Sequence, residues 1–144
     1  MKKSELLAPA GDMNCLKAAA RFGADAVYIG GPLLQLRAEK AAFSEGDIAL
    51  AADYLHSMGK KLYVTVNSFT KNSEIEPLKA YARNLYALGV DAVIVADLGA
   101  LRAIKQAEPR LEVHISTQAN CCNYSAAMAY YELGASRIVV AREM

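Results

Sequence analysis

Phe22-Gly-Ala-Asp-Ala-Val-Tyr-Ile-Gly-Gly31 reads as the close of a helix, a one-glycine turn, a short apolar strand and a glycine-lined exit. Gly23 can take the left-handed conformation that ends a helix. The run Ala26 to Ile29 is too short for a helix and too apolar for a strand with one wet face. Near copies follow as Leu88-Gly-Val-Asp-Ala-Val-Ile-Val-Ala96 and Leu133-Gly-Ala-Ser-Arg-Ile-Val-Val-Ala141, with a looser one at Met58-Gly-Lys-Lys-Leu-Tyr-Val-Thr-Val66. The glycines stand at 23, 59, 89 and 134, spaced by 36, 30 and 45 residues. So uneven a period suits repeated β/α units with variable loops, not a solenoid of fixed repeats.

Working outward, the same alternation fills the chain. A first strand over 5–8 leads to Asp12, the expected N-cap of a helix with Leu16, Ala19 and Ala20 on one face. The second strand spans 24–29, and a long loop through Arg37 and Phe43 follows. Ser44-Glu-Gly-Asp47 is a capping-box start, with Ile48, Ala51, Ala52 and Leu55 as the apolar stripe. The third strand covers 61–66. Ser73-Glu-Ile-Glu76 reads as a second capping box, with Pro77 in the first turn and Leu78, Ala82, Leu85 and Leu88 facing inward. Strand four covers 91–95 and ends at Asp97; Leu98, Leu101 and Ile104 mark a fourth helix, stopped by Pro109. The fifth strand spans 111–116, Asn123 caps a fifth helix, and a sixth strand runs over 137–141.

Six strands alternating with five helices imply right-handed crossovers and a parallel sheet. Leu62, Val64 and Val66 alternate with Tyr63, Thr65 and Asn67, and Val113 and Ile115 alternate with Glu112, His114 and Ser116. A doubly wound open sheet is covered on both faces, whereas a (β/α) barrel has helices only outside and admits larger, more polar groups within. The pattern favours the barrel. A complete one takes about 250 residues, so the expected fold is α/β, an incomplete TIM-like barrel in a single domain over 1–144. Glu5 and Tyr28 would then point inward at the floor.

Composition narrows the function classes. A 54% hydrophobic and 22% charged chain with net charge +1 is compact and carries no strong field toward nucleic acid or membrane. No apolar run is long enough for a membrane span or signal peptide. Three cysteines, two adjacent, make no disulfide framework and suit a reducing cytoplasm. Cys15 reads as core, and Cys121 and Cys122 as packing residues; no metal set is visible. His56, near a helix end, reads as solvated.

In a β/α barrel the working groups gather at the C-terminal strand ends. Those ends offer Asn67, Asp97, Ser116-Thr117-Gln118, Arg142 and Glu143, a set able to bind a small polar or anionic ligand. His114 and Glu143 are the catalytic candidates; His114 would be a general base, with a hydrogen-bonded interior histidine as the competing reading. The basic residues Arg21, Lys60, Lys61, Arg102, Lys105 and Arg110 fall mostly on separate helices and read as solvated charge.

Glu5-Leu-Leu-Ala-Pro-Ala-Gly-Asp12, Gly23-Ala-Asp-Ala-Val-Tyr-Ile-Gly-Gly31, Tyr63-Val-Thr-Val-Asn67, Asp91-Ala-Val-Ile-Val-Ala-Asp97, His114-Ile-Ser-Thr-Gln118 and Val140-Ala-Arg-Glu143 occur in that order. Together they resemble the N-terminal part of peptidase family U-32, the collagenase-like peptidases. The resemblance implies a TIM-barrel-like domain and a peptidase name, with some members supporting hydroxylation of tRNA or ribosomal RNA bases or of ubiquinone precursors. It also implies an iron–sulfur cluster in some members, with cysteines downstream of residue 144. Arg37 and Phe43 match the family's loop after the second strand, where Ala42 replaces an asparagine. Three readings follow: part of an RNA-hydroxylation protein, a peptidase, or a non-catalytic half-barrel whose exposed sheet edges pair with a second copy or another domain.

Overall fold

The computed structural model describes residues 3–35 and 43–144. Its strands are β1 (Leu7–Pro9), β2 (Ala26–Gly30), β3 (Lys61–Val66), β4 (Ala92–Val95), β5 (Glu112–Ile115) and β6 (Arg137–Ile138). Between them run α1 (Met13–Arg21), α2 (Glu45–Ser57), α3 (Ile75–Ala87), α4 (Leu98–Ala107) and α5 (Tyr124–Glu132). All six strands are parallel and follow sequence order across one sheet. Strand order without a switch point is the order of a barrel and not of a doubly wound sheet.

The two faces separate as the alternation required. Leu62, Val64 and Val66 of β3, Val93 and Val95 of β4, and Val113 and Ile115 of β5 pack beneath the helices with Leu16, Ile48, Leu55, Leu85 and Ile104. On the other face Ala26, Tyr63, Ala92 and Ile94 form a second cluster with Leu7 and Tyr28. Across that second face Arg137, which opens β6, hydrogen-bonds Glu5, which precedes β1, at 2.5 Å. Five strand spacings would put these edges about 24 Å apart in a flat sheet, beyond the reach of two side chains. The sheet therefore curls on itself into a half-barrel.

The repeated sentence has a structural cause. Gly23 and Gly89 take φ of +105° and +90°, closing α1 and α3 in the left-handed region. Two residues later a polar side chain reaches the start of the preceding strand. Asp25 accepts from the Leu6 N–H at 2.8 Å, Asp91 from the Leu62 N–H at 2.8 Å, and Ser136 donates to the Val113 carbonyl at 3.3 Å.

Several boundaries and environments differ from expectation. The first strand lies at Leu7–Pro9, and the sixth is only Arg137–Ile138, although the Val139 N–H still bonds the Ile115 carbonyl at 2.8 Å. The Ser73–Glu76 capping box does not form. A 3₁₀ turn at Asn72–Glu74 precedes α3 instead, and the Glu74 carboxylate accepts from the Lys71 N–H at 2.6 Å. The Ser44–Asp47 box does form, with side chain and backbone bonded reciprocally at 3.1 Å. Cys15 is exposed and not core, since it lies on α1 away from buried Leu16 and Ala20. His56 is not simply solvated: its Nε2 lies 2.9 Å from Asp91 Oδ2. Of the basic residues, Lys60 is spent on the Ala24 carbonyl, Lys105 on those of Pro109 and Leu111, and Arg110 on Glu108.

Candidate functional site

The half-barrel has two polar ends with different chemistry. At the N-terminal end, Glu5, Tyr63, His114, Glu112 and Arg137 form a connected floor. Tyr63 Oη donates to the Glu5 carboxylate at 3.0 Å, and the Arg137 guanidinium lies 5.6 Å from the Tyr63 ring centre. His114 meets Tyr63 edge-on at 4.7 Å and reaches Glu112 at 3.5 Å. The hydrogen bond from Arg137 holds the Glu5 carboxyl below the usual glutamate range. Burial pushes the Tyr63 phenol up to about 12, aided by Glu5. Burial, and then the nearby Arg137 charge, lower the His114 pKa and favour the neutral imidazole.

His114 is therefore a floor residue, 1% exposed and locked by an aromatic edge contact. The geometry supports the hydrogen-bonded interior reading. Sequence reading placed Glu5 correctly but passed over Arg137, whose signal was an arginine opening an otherwise apolar strand.

The mouth, at the C-terminal strand ends, holds most of the other candidates. Asp97 is half-buried, and its carboxylate caps α4 by accepting from the Gly99 and Ala100 N–H groups at 3.3 and 3.2 Å. Ser116 is buried at the exit of β5, where its Oγ accepts from the Gln118 N–H at 3.3 Å. Thr117 and Gln118 are exposed on the 3₁₀ turn Thr117–Ala119, beside Asn120 in the left-handed region. Asn67 is half-buried just past β3 and engaged in a contact of its own. Arg142 and Glu143 are exposed in the terminal turn. Arg37 lies outside the described residues.

Sequence reading missed a hydroxyl cluster near the same end. Tyr81 reaches from α3 to the exit of β2, so close that a Cβ on Gly31 would lie 2.1 Å from its hydroxyl. Burial pushes that phenol above its ordinary range. Among the described residues the Ser68 and Thr70 hydroxyls are buried without a hydrogen-bond partner, the Tyr81 hydroxyl is buried facing the Leu33 backbone, and the Ser68 N–H bonds the Leu34 carbonyl at 3.1 Å. An isolated tyrosine in a helical pattern gives no sign of such a role.

The residues present do not fit an iron–sulfur cluster. Cys121 and Cys122 adjoin, Cys15 belongs to α1, and among the described residues no three His, Cys, Asp or Glu side chains converge as a metal site. A cluster is held by about four ligands, and one cysteine on α1 with an adjacent pair in the loop before α5 does not supply them. Among the described residues no helix is long and apolar enough to cross a membrane.

A parallel half-barrel with a tied floor and a polar mouth defines the class: a β/α-barrel protein, a fold whose members work at the strand exits. The chain belongs to peptidase family U32, whose family model matches residues 11–144. It is 40% identical over 99% of its length to tRNA hydroxylation protein P1 of Bacillus subtilis, and covers 34% of that protein. It is 40% identical over 97% of its length to the 23S rRNA 5-hydroxycytidine C2501 synthase of Escherichia coli, covering 21% of it. A solved U32 peptidase structure superposes with a TM-score of 0.76 at 19% identity, over 97% of this chain and 61% of that one, which shows the shared fold. The chain thus spans about one third of the tRNA hydroxylation proteins it matches.

Proposed function

We propose that these residues are the N-terminal barrel part of a longer protein that supports hydroxylation of pyrimidine bases in tRNA or ribosomal RNA. The supporting observation is near-complete coverage of this chain, at equal identity, by relatives named for tRNA and for rRNA hydroxylation. In this reading the mouth binds the substrate. Asn67, Thr117, Gln118 and Arg142 offer amide, hydroxyl and guanidinium groups to a base edge or a small anionic ligand. Glu143 is the exposed carboxylate available there as a proton acceptor. Arg37 belongs to the same proposed set on sequence grounds, whereas Asp97 and Ser116 shape the site by fixing the turns they cap. Any iron–sulfur cluster of the complete protein draws its ligands from outside these residues. The open edges of β1 and β6 pair with the rest of the polypeptide, a second copy or another half-barrel. On this reading the protein works in the cytoplasm, where its RNA substrates are.

The peptidase reading has less support, because the imidazole of His114 is engaged by Tyr63 and Glu112 and activates no nucleophile among the described residues. Nucleoside mass spectrometry of tRNA and ribosomal RNA decides the question, using a strain that lacks the full reading frame. Loss of a hydroxylated pyrimidine, restored by the full frame and not by these 144 residues, is the expected result. An unchanged nucleoside profile would overturn the reading.

A further inference from the structure

The mouth carries a second pattern, apolar and exposed, that its polar groups do not explain. Three residues past the end of β2, β3 and β4 stand Leu33, Phe69 and Leu98, each a large hydrophobic side chain in water. Because these strands are adjacent and in parallel register, the three form an arc along the rim. Past β5 the arc continues to Tyr124, the first residue of α5. Phe69 is 74% and Tyr124 is 76% exposed. Phe69 thus follows β3 and Tyr124 follows β5, the strands on either side of β4, which lie about two strand spacings, or about 10 Å, apart at the level of the sheet. Apolar side chains gathered at a functional rim mark a contact surface.

The occupant follows from the chemistry around the arc. Exposed Lys71 lies two residues beyond Phe69, and the Ala141 N–H bonds the Cys121 carbonyl at 3.1 Å, which brings exposed Arg142 to the loop that leads into Tyr124. Aromatic faces with interleaved cations suit unstacked nucleotides, whose bases stack on the rings while phosphates meet the charges.

We propose that Phe69 and Tyr124 are stacking platforms that hold splayed-out bases of single-stranded RNA over the mouth of the barrel. This rests on the RNA reading above and names the side chains that present the substrate. The two residues select single strands over duplex, because only an unpaired base exposes its face.

The test uses the complete polypeptide and a short oligouridylate. These 144 residues contain no tryptophan, so F69W and Y124W each add a reporter on the rim, read as the difference in emission from the parent polypeptide. Tryptophan emission at either position should be quenched by the oligouridylate and not by a duplex of the same length. F69A and Y124A should each weaken binding about five- to hundredfold, as loss of one base–aromatic stack does, and lower hydroxylated-nucleoside content in complemented cells. L50A, an exposed leucine on α2, should change neither quantity. Circular dichroism melting of F69A and Y124A should match the parent, since neither ring is buried.

If the parent protein hydroxylates and binds RNA while F69A and Y124A behave like it within about twofold, the platform proposal alone falls. Failure of the parent to bind or modify RNA removes the functional reading and this proposal together. Blue-shifted emission from F69W that RNA does not change would mean that another part of the polypeptide covers the arc, which also overturns the proposal.

Discussion

Glu5 and Arg137 are 132 residues apart in sequence, and their side chains meet at 2.5 Å across the concave face of the sheet. A second hydrogen bond at 3.3 Å makes the contact two-pronged, and Tyr63 joins it from β3 in the middle. The first and sixth strands are thus tied through the interior, although no ladder joins them. This pair holds the curvature on which the geometry of the mouth depends.

Replacing Glu5 by Gln should therefore loosen β6 and α5 before the rest of the sheet. Both partners are partly solvated, so the loss is about 1–2 kcal/mol, with screening reducing the value of a buried pair. Hydrogen exchange should rise over 124–139 and stay unchanged in β3 and β4. Uniform exchange across the sheet would show that the pair carries no special load.

The same pair has a pH signature. Arg137 depresses the Glu5 pKa in the folded state, so its stabilisation is full above the unfolded glutamate value of about 4.3 and is lost as pH falls through the folded value. Urea midpoints measured downward from pH 5 should fall more steeply for the parent than for E5Q. Parallel curves would remove Glu5 as the source.

His114 acts in a higher window. Its pKa is lowered by burial, with Arg137 opposing and Glu112 and Glu5 favouring the charged form. The unfolded chain gains a proton near pH 6.5 while the folded one resists. Stability should thus decline as pH drops below about 6.5 toward the folded value. H114F should flatten that decline, read from thermal midpoints between pH 7.5 and 5.5; an unaltered slope would exclude this histidine.

Gly31 and Tyr81 form a steric pair. An alanine at 31 would meet the Tyr81 hydroxyl at 2.1 Å but the ring carbon beneath it only at 3.4 Å. G31A should cost about 1–3 kcal/mol by overpacking, and Y81F should recover part of that loss. Y81F alone removes a buried hydroxyl with no well-formed hydrogen bond among the described residues, and its stability should equal or exceed the parent's. Calorimetry of the four proteins as a cycle tests the coupling; strict additivity would deny it.

Asp91 bridges three elements, accepting from the Leu62 N–H at 2.8 Å and meeting His56 at 2.9 Å. D91A should lower stability by about 1–3 kcal/mol, whereas D91N keeps one acceptor and should lose less. Equal urea midpoints for both variants would show that the carboxylate does no more than its shape.

Much of this architecture was legible in local pattern. The glycine turns, the Ser44 box, the Asp12 and Asn123 caps and the stripe Ile48, Ala51, Ala52, Leu55 all formed as the residues indicate. Each depends on interactions within a few residues or on a period of two or 3.6, so short windows carry the information. Even the barrel preference came from alternation in β3 and β5, since a side chain's face follows from its parity.

What lay beyond sequence reading was where distant groups meet. Nothing local pairs Glu5 with Arg137, sets His114 against Tyr63, brings Tyr81 onto Gly31 or lines up Leu33, Phe69 and Leu98 along one rim. These juxtapositions arise from the curl and register of the whole sheet, and curvature is a property of all six strands together. Sequence alone determined the elements and their faces. Tertiary structure alone decided that His114 packs edge-on against Tyr63 and that Glu5 meets Arg137 across the sheet.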